Sequence, residues 1–310
     1  MNAVLMQTKE WQVLQNDLNE TSFYEDGADF QYLAILKHTP VGNYLYLPYG
    51  PVYRDKNGFK NALISLKNLA KEHNAIFIRI EPRDPKFPDY APKNAKKSKD
   101  LNPKETWVLD LKGTDEELKQ KLPSRLLRYH RNAAKNGITI ETSHNPDDIH
   151  YLLNLQKALA SKKGINTFSE EYLKTELKQP FSTLYLVKYQ SPEEKQPKVV
   201  AAGLVFDDLT TRYNLQGAQS EEARKLHATG VLTIQLILDA KAAGKEEFDF
   251  WGIAPEGAPA THPWKGFTDF KKTFAGKERD FAGTYDIIEN PSKYKLYQLT
   301  RKINRLRRKI

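Results

Sequence analysis

The chain has 310 residues, enough for two domains, and its 39% hydrophobic content includes no apolar run of membrane-spanning length. It contains no cysteine, which excludes disulfides, thiolate metal sites and a cysteine nucleophile, and fits a reducing cytoplasm. The net charge of +9 is concentrated: residues 290–310 carry eight basic side chains and no acidic one, leaving 40 basic against 39 acidic elsewhere. Such a tail suits RNA phosphates, anionic lipid heads or simply a solvated helix face. Met1–Glu10 lacks the charged-then-apolar order of a secretion signal.

In chain order, hydrophobic periodicity predicts a helix at about 8–19, strands at 31–37 and 43–48, a helix at 59–73 and a strand at 75–81. Residues 83–104 are rich in Pro and Lys and read as a surface connection. Thr114-Asp115-Glu116-Glu117 has capping-box spacing and opens a helix over 115–136, which Pro123 kinks or divides. Arg128, Arg131 and Lys135 fall at three- and four-residue steps, giving that helix a basic stripe that also includes Arg125 nearby. Gly137 closes it where Ile138 begins a strand. Helices follow at 147–163 and 169–178, strands at 183–189, 198–207 and 210–217, a helix at 227–243 and a strand at 247–252. Helix, meander, helix and buried strand thus occur twice, which points to two α/β domains of one type. A final helix, about 291–309, sets Leu296, Leu299, Ile303, Leu306 and Ile310 in one apolar stripe. That stripe is expected to pack onto a domain; a membrane-surface role is secondary, because a docked stripe is not offered to lipid.

The most informative segment runs from Phe248 to Gly276. Phe248-Asp249-Phe250-Trp251 reads as a buried strand that breaks into a Gly/Pro-rich loop, Gly252–Gly266, at its C-terminal end. Ligands bind at such ends in open α/β sheets. Lys271 then sits between Phe270 and Phe274, where partial desolvation strengthens its charge. An ordinary aromatic core loop would look the same at this level.

Several chemistries lack their signatures. There is no Walker loop, Rossmann fingerprint, His-Glu-x-x-His or Gly-x-Ser-x-Gly. The pyrophosphate loop of an acetyl-CoA-dependent GNAT enzyme is absent at Arg224–Gly230, which argues against a CoA site there.

Phe248–Pro255, His262-Pro263-Trp264, Gly266-Phe267-Thr268 and Phe270-Lys271-x-x-Phe274 resemble motifs of the FemABX family of non-ribosomal peptidyltransferases. Tyr46–Val52, Ile78-Arg79-Ile80-Glu81-Pro82, Asn102–Leu111, Arg125–Gly137 and Tyr213-x-x-x-Gly217-Ala218 extend the resemblance, in order, over most of the chain. It implies an α/β (α+β) fold of two tandem GNAT-like domains, with mixed central sheets flanked by helices. The first domain would span 1–104 and resume at 283–310; the second would span 105–282. No heptad segment is long enough for the helical arm of some members.

The implied activity is transfer of an amino acid from aminoacyl-tRNA to an amino group of the peptidoglycan stem peptide, presented on lipid II or UDP-MurNAc-pentapeptide. The ester is already activated, so no cofactor or metal is implied; the enzyme positions the amine and stabilises the oxyanion. By resemblance, Lys271 supplies positive charge, Phe270 shapes the pocket, Glu81 orients or deprotonates the amine, and Arg79 binds a carboxylate or phosphate. Tyr172, Tyr213 and Asn166 are implied substrate contacts; Arg125, Arg128, Arg131 and Lys135 are implied tRNA contacts. Trp251 and Trp264 are expected to be packing that holds the Lys271 loop. Gln15 and Phe168 replace a lysine and an arginine that contact the soluble nucleotide precursor in some members, which favours the lipid-linked one. A cytoplasmic monomer with a peripheral membrane contact is expected. Transfer to a lipid or protein acceptor, or a non-catalytic RNA- or membrane-binding homologue, remain as alternatives.

Overall fold

The computed structural model describes residues 4–163 and 167–307, in two compact units. One comprises Met1–Lys104 with Asp280–Ile310, the other Glu105–Arg279.

The first unit opens with α1 (Lys9–Asp17), capped by the Thr8 side chain on the Trp11 N–H. A meander follows: β1 (Ser22–Asp26), β2 (Phe30–Lys37), β3 (Asn43–Leu47) and the short β4 (Val52–Tyr53). Helix α2 (Lys56–Glu72) starts three residues before its periodicity suggests, because Asp55 accepts from the Asn57 and Gly58 N–H groups and fixes the first turn. β5 (Ala75–Ile80) is buried throughout, and β6 (Ala95–Lys97) closes this part of the chain.

The second unit begins with β7 (Glu105–Asp110). Thr114 and Glu117 form the expected capping box on α3 (Asp115–Lys121). Pro123 then separates α3 from α4 (Ser124–Arg131), since proline cannot donate to the helix ladder. Gly137, at φ 73°, turns the chain into β8 (Ile138–Ser143). Next come α5 (Ile149–Lys163), α6 (Glu170–Leu177), β9 (Ser182–Tyr189), β10 (Lys198–Asp207) and β11 (Thr211–Gln219). The unit ends with α7 (Glu221–Lys225), α8 (Ala228–Ala242), β12 (Glu247–Gly252), α9 (Lys265–Lys271) and β13 (Lys277–Asp280). Its sheet runs β13-β7-β12-β11-β10-β9-β8, with β11 and β12 parallel. Its core joins Leu109, Val187, Val205, Val231, Phe248 and Phe250.

The chain then returns to the first unit through β14 (Tyr285–Ile288) and α10 (Pro291–Arg307). β14 inserts antiparallel between β5 and β6, completing the order β1-β2-β3-β5-β14-β6, with β4 beside β2. Among the described residues no helix exceeds the 17 of α2 and α10.

Helix α10 reverses one expectation. Its buried face is aromatic: Tyr294 and Tyr297 pack on Ile76 and Phe77. The aliphatic stripe faces away from the unit, with Leu296 51%, Leu299 54% and Ile303 40% exposed. Two faces of the helix are apolar, and rings 4.9 and 5.3 Å from Phe77 decide which one docks.

Candidate functional site

The end of β12 is built around a buried carboxylate. Asp249 pairs with Tyr213 of β11 in register and is almost inaccessible. Its Oδ1 accepts the Trp251 N–H at 2.8 Å, and its Oδ2 accepts the Thr106 hydroxyl at 3.2 Å. The first bond bends the strand: Trp251 sits at φ 68°, a conformation strained for a bulky residue and held by its surroundings. Beyond the bend, the Gly252 carbonyl accepts the Lys271 ammonium at 2.6 Å. Asp249 therefore shapes the turn that receives Lys271. Burial pushes the Asp249 carboxyl up to about 6, opposed by the Trp251 N–H and by Arg279.

Lys271 is the last residue of α9, in a stretch where sequence periodicity suggests no helix. Thr268 ties this helix to the strand end: its hydroxyl donates to the Trp264 carbonyl at 2.9 Å and accepts the Ala254 N–H at 2.8 Å. Phe270 and Phe274 meet edge to face at 5.6 Å, and Phe274 continues onto Phe250 in the core at 4.9 Å. Desolvation pushes the Lys271 ammonium down to about 8, against the pull of Asp249. A protonated lysine has three donors; one goes to Gly252, and among the described residues none takes the other two. Trp264 departs from its expected packing role, being 42% exposed and holding α9 through its backbone. Trp251 meets the Tyr213 ring at right angles, 6.2 Å away. Tyr213 is buried, and its hydroxyl donates to Asp208 at 2.6 Å.

A second cluster in this unit surrounds Tyr172. Its ring stacks on the half-exposed Phe168 at 4.9 Å, and its hydroxyl bonds Glu176. Glu176, on α6, is 2% exposed, and burial pushes its carboxyl up to about 8. Gln216 of β11 donates to it at 2.9 Å, and Gln156 of α5 donates to Gln216 at 3.2 Å. The Gln156 Oε1 is buried without a hydrogen-bond partner. Glu176 escapes sequence reading, because nothing in its local pattern distinguishes it from a solvated helix carboxylate. Asn166, with Gly164 and Ile165, lies outside the described residues.

Glu81 and Arg79 belong to the other unit, and the structure revises both assignments. Arg79 is 2% exposed; its Nε and Nη2 donate to the two oxygens of Asp286 at 2.7 and 2.8 Å. Its fork is committed inside the sheet, so it does not grip a substrate anion. Glu81 is buried as well. Its oxygens accept from the Tyr46 hydroxyl, the Asn102 N–H and amide, and the Thr284 hydroxyl, at 2.7–3.1 Å, with the Tyr49 N–H at 3.4 Å. Those donors occupy the four lone-pair sites a carboxylate offers, so Glu81 knits β5 to its neighbours and has no free lone pair for an amine.

The basic helix is shorter than its spacing suggests. α4 ends at Arg131, and Lys135 lies in a separate turn, so the stripe is broken there. Arg125 and Arg128 gather over the Tyr129 ring at 5.4 and 5.7 Å, and His227 stacks on that ring at 4.4 Å. The Arg125 hydrogen bond holds the Tyr129 phenol below its usual range. Arg131 and Lys135 are exposed. Leu126 closes on Gly230, where a Cβ would fall 2.6 Å from its methyl, so α4 packs against the first turn of α8. Among the described residues no cluster of His, Asp or Glu could hold a metal ion. No described helix is long and apolar enough to cross a membrane.

Two mixed sheets flanked by helices, with β3 parallel to β5 in one and β11 parallel to β12 in the other, give the chain a fold of two tandem GNAT-like domains. The chain belongs to the FemAB family, whose model matches residues 2–100 and 181–302. At the level of that family it is an acyl-group transferase of peptidoglycan bridge formation. No functionally curated protein matches the sequence. Solved structures share the fold. The crystal structure of FemX superposes with a TM-score of 0.82 at 18% identity, covering 95% of this chain and 94% of that one. L-PGS from Bacillus licheniformis gives 0.59 at 14% identity, covering 98% and 99%. A tandem GNAT protein from the clavulanic acid biosynthesis pathway gives 0.51 at 13% identity, covering 90% and 87%.

Proposed function

We propose that this protein works in the cytoplasm and transfers an aminoacyl group from aminoacyl-tRNA to an amino group of the lipid-linked peptidoglycan precursor. The observation that carries the reading is Lys271. It is an ammonium held at a strand end by the Gly252 carbonyl in the field of Asp249, desolvated, with two donors unengaged among the described residues, in the segment where the family's motifs cluster.

In the transfer, the neutral amine attacks the ester carbonyl. The new C–N bond forms as the C–O bond to the terminal ribose breaks, and the proton released by the amine ends on the departing oxygen. Negative charge develops on the carbonyl oxygen and then on the leaving oxygen. A fixed ammonium in a water-poor site stabilises that charge without reorganising. Phe270 lines the approach beside it. Tyr172 stands as the substrate-side residue, offering its ring face, whereas Tyr213 is buried with its hydroxyl committed to Asp208 and supports the strand end behind the site. Arg125, Arg128, Arg131 and Lys135 are available to tRNA phosphates on the exposed face of α4 and the turn after it. By the family resemblance, the uncharged Gln15 and Phe168 stand where some members place cations for the nucleotide-linked precursor, which favours the lipid-linked acceptor.

The test is reconstitution with purified protein, charged tRNA and either lipid II or the UDP-linked precursor, read by mass spectrometry. An aminoacylated precursor, lost in Lys271→Ala, is expected. Absence of product with every charged tRNA, or full activity in Lys271→Ala, would falsify the proposal.

A further inference from the structure

Among its described residues, helix α10 is anchored through one aromatic face. Tyr294 and Tyr297 bury their rings against Phe77, and Tyr294 donates to Asp286 at 2.8 Å. At about 100° per residue, the stripe of Leu296, Leu299 and Ile303 points roughly 160° away from that anchored face. All three side chains are 40–54% exposed. Lys295 and Lys302 lie about 40 to 60° to one side of the stripe, and Lys293 about 60° to the other. Each of these lysines is exposed, and no ion pair among the described residues engages them. No acidic residue occurs anywhere in 290–310.

We infer that α10 is a docking helix for an anionic phospholipid surface. The aliphatic stripe enters the boundary between headgroups and acyl chains, and the flanking lysines meet lipid phosphates. Its charge and its chemistry together select this occupant. A second copy, packed stripe to stripe about a two-fold axis, would bring two all-basic helices together and suffer like-charge repulsion. A nucleic acid would use the lysines but leave the leucines without a partner, since the outward stripe has no ring on which a base could stack. The aromatic anchor makes the device work in the folded protein: with the tyrosines fixed to the sheet, the outer face is presented without unfolding anything. The inference goes beyond the transfer reaction and does not rest on it.

Vesicle flotation of the full chain tests it, using phosphatidylcholine alone and phosphatidylcholine mixed with phosphatidylglycerol. Binding is expected only to the mixed vesicles, weakening as salt rises. Leu296→Glu/Leu299→Glu/Ile303→Glu should lower partitioning by at least about tenfold, and Lys293→Gln/Lys295→Gln/Lys302→Gln by on the order of a hundredfold, roughly fivefold per lysine charge removed. Because the changed side chains are exposed, thermal melts should match the parent; the single change Leu299→Ser serves as a milder check, with a smaller loss in the same direction. The inference is overturned if the parent protein does not float with anionic vesicles, or if the aliphatic variants bind as the parent does. It is also overturned if sedimentation shows a dimer that these variants dissolve. Flotation does not measure transfer, so a failed reconstitution would leave this result standing.

Discussion

Replacing Lys271 by methionine keeps much of the side chain's length and removes its charge, and the consequence for stability depends on pH. The folded-state ammonium titrates near 8, against 10.5 for an ordinary lysine. The folded chain therefore binds this proton less tightly than the unfolded chain. Below about pH 8 both states are protonated and the buried charge is a constant penalty. Between about 8 and 10.5 the folded state has released a proton that the unfolded state still holds, so parent stability rises with pH across that window. A shift of this size corresponds to about 3 kcal/mol, which the residue's partial contact with solvent brings nearer to ~2. Methionine has no such penalty, but it leaves the Gly252 carbonyl without its donor, at about 1 kcal/mol. The variant should thus be more stable than the parent by about 1 kcal/mol near neutral pH, and less stable by a similar amount near pH 10.5. Urea unfolding of both proteins across this range reads the crossover. A stability difference independent of pH would refute the burial argument. Transfer should fall by about 10² to 10³ in the same variant, the usual cost of losing a preorganised oxyanion donor. Parent-like turnover would refute the role given to the charge.

Asp249→Asn keeps an oxygen for the Trp251 N–H and removes the negative charge beside Lys271, so the Lys271 amine should titrate below 8; competitive acetylation of that residue measures it. Glu176 moves from 4.5 to about 8 on folding, so its favourable contribution is complete below pH 4.5 and is lost as pH rises through 8. Glu176→Gln should therefore gain on the parent across that window, reaching about 4 to 5 kcal/mol at its alkaline end, and a flat difference in chemical denaturation would contradict the burial of this carboxyl. Arg79→Ala strands the Asp286 carboxylate inside the sheet and should cost about 3 to 5 kcal/mol, whereas Arg79→Met with Asp286→Leu should restore most of it; equal losses in the two proteins would show that the ion pair is not the cause.

Local chemistry made some of this legible in the sequence. The Thr114 capping box, the Pro123 break and the Gly137 turn were all readable, because each acts within a few residues. The desolvation of Lys271 was readable, because Phe270 and Phe274 flank it in sequence and the strand end receives it in space. What could not be read depends on distant partners. Arg79 looks like an anion binder until Asp286 arrives from 207 residues away. Glu81 looks like a free strand-end carboxylate until Tyr46, Asn102 and Thr284 converge on it. On α10, periodicity identified an apolar stripe correctly and its burial wrongly. Tyr294 and Tyr297 form a competing apolar face, and the choice between faces was made by Phe77, on another strand. The role of Asp249 was hidden by the strained bend at Trp251, a conformation no propensity favours.

The placement of β14 has a consequence for synthesis. The strand lies between β5 and β6, so the first unit's sheet is interrupted at its interior until residues 285–288 are available. On the ribosome those residues emerge after all of Glu105–Arg279. The unit begun first is therefore finished last, and the unit encoded in the middle has every strand it needs before its neighbour can close. Until then the facing edges of β5 and β6 are unpaired, with Arg79 awaiting its counter-ion. This is the interval in which the nascent chain would most need a chaperone, and in which a ribosomal pause after β13 would be most costly.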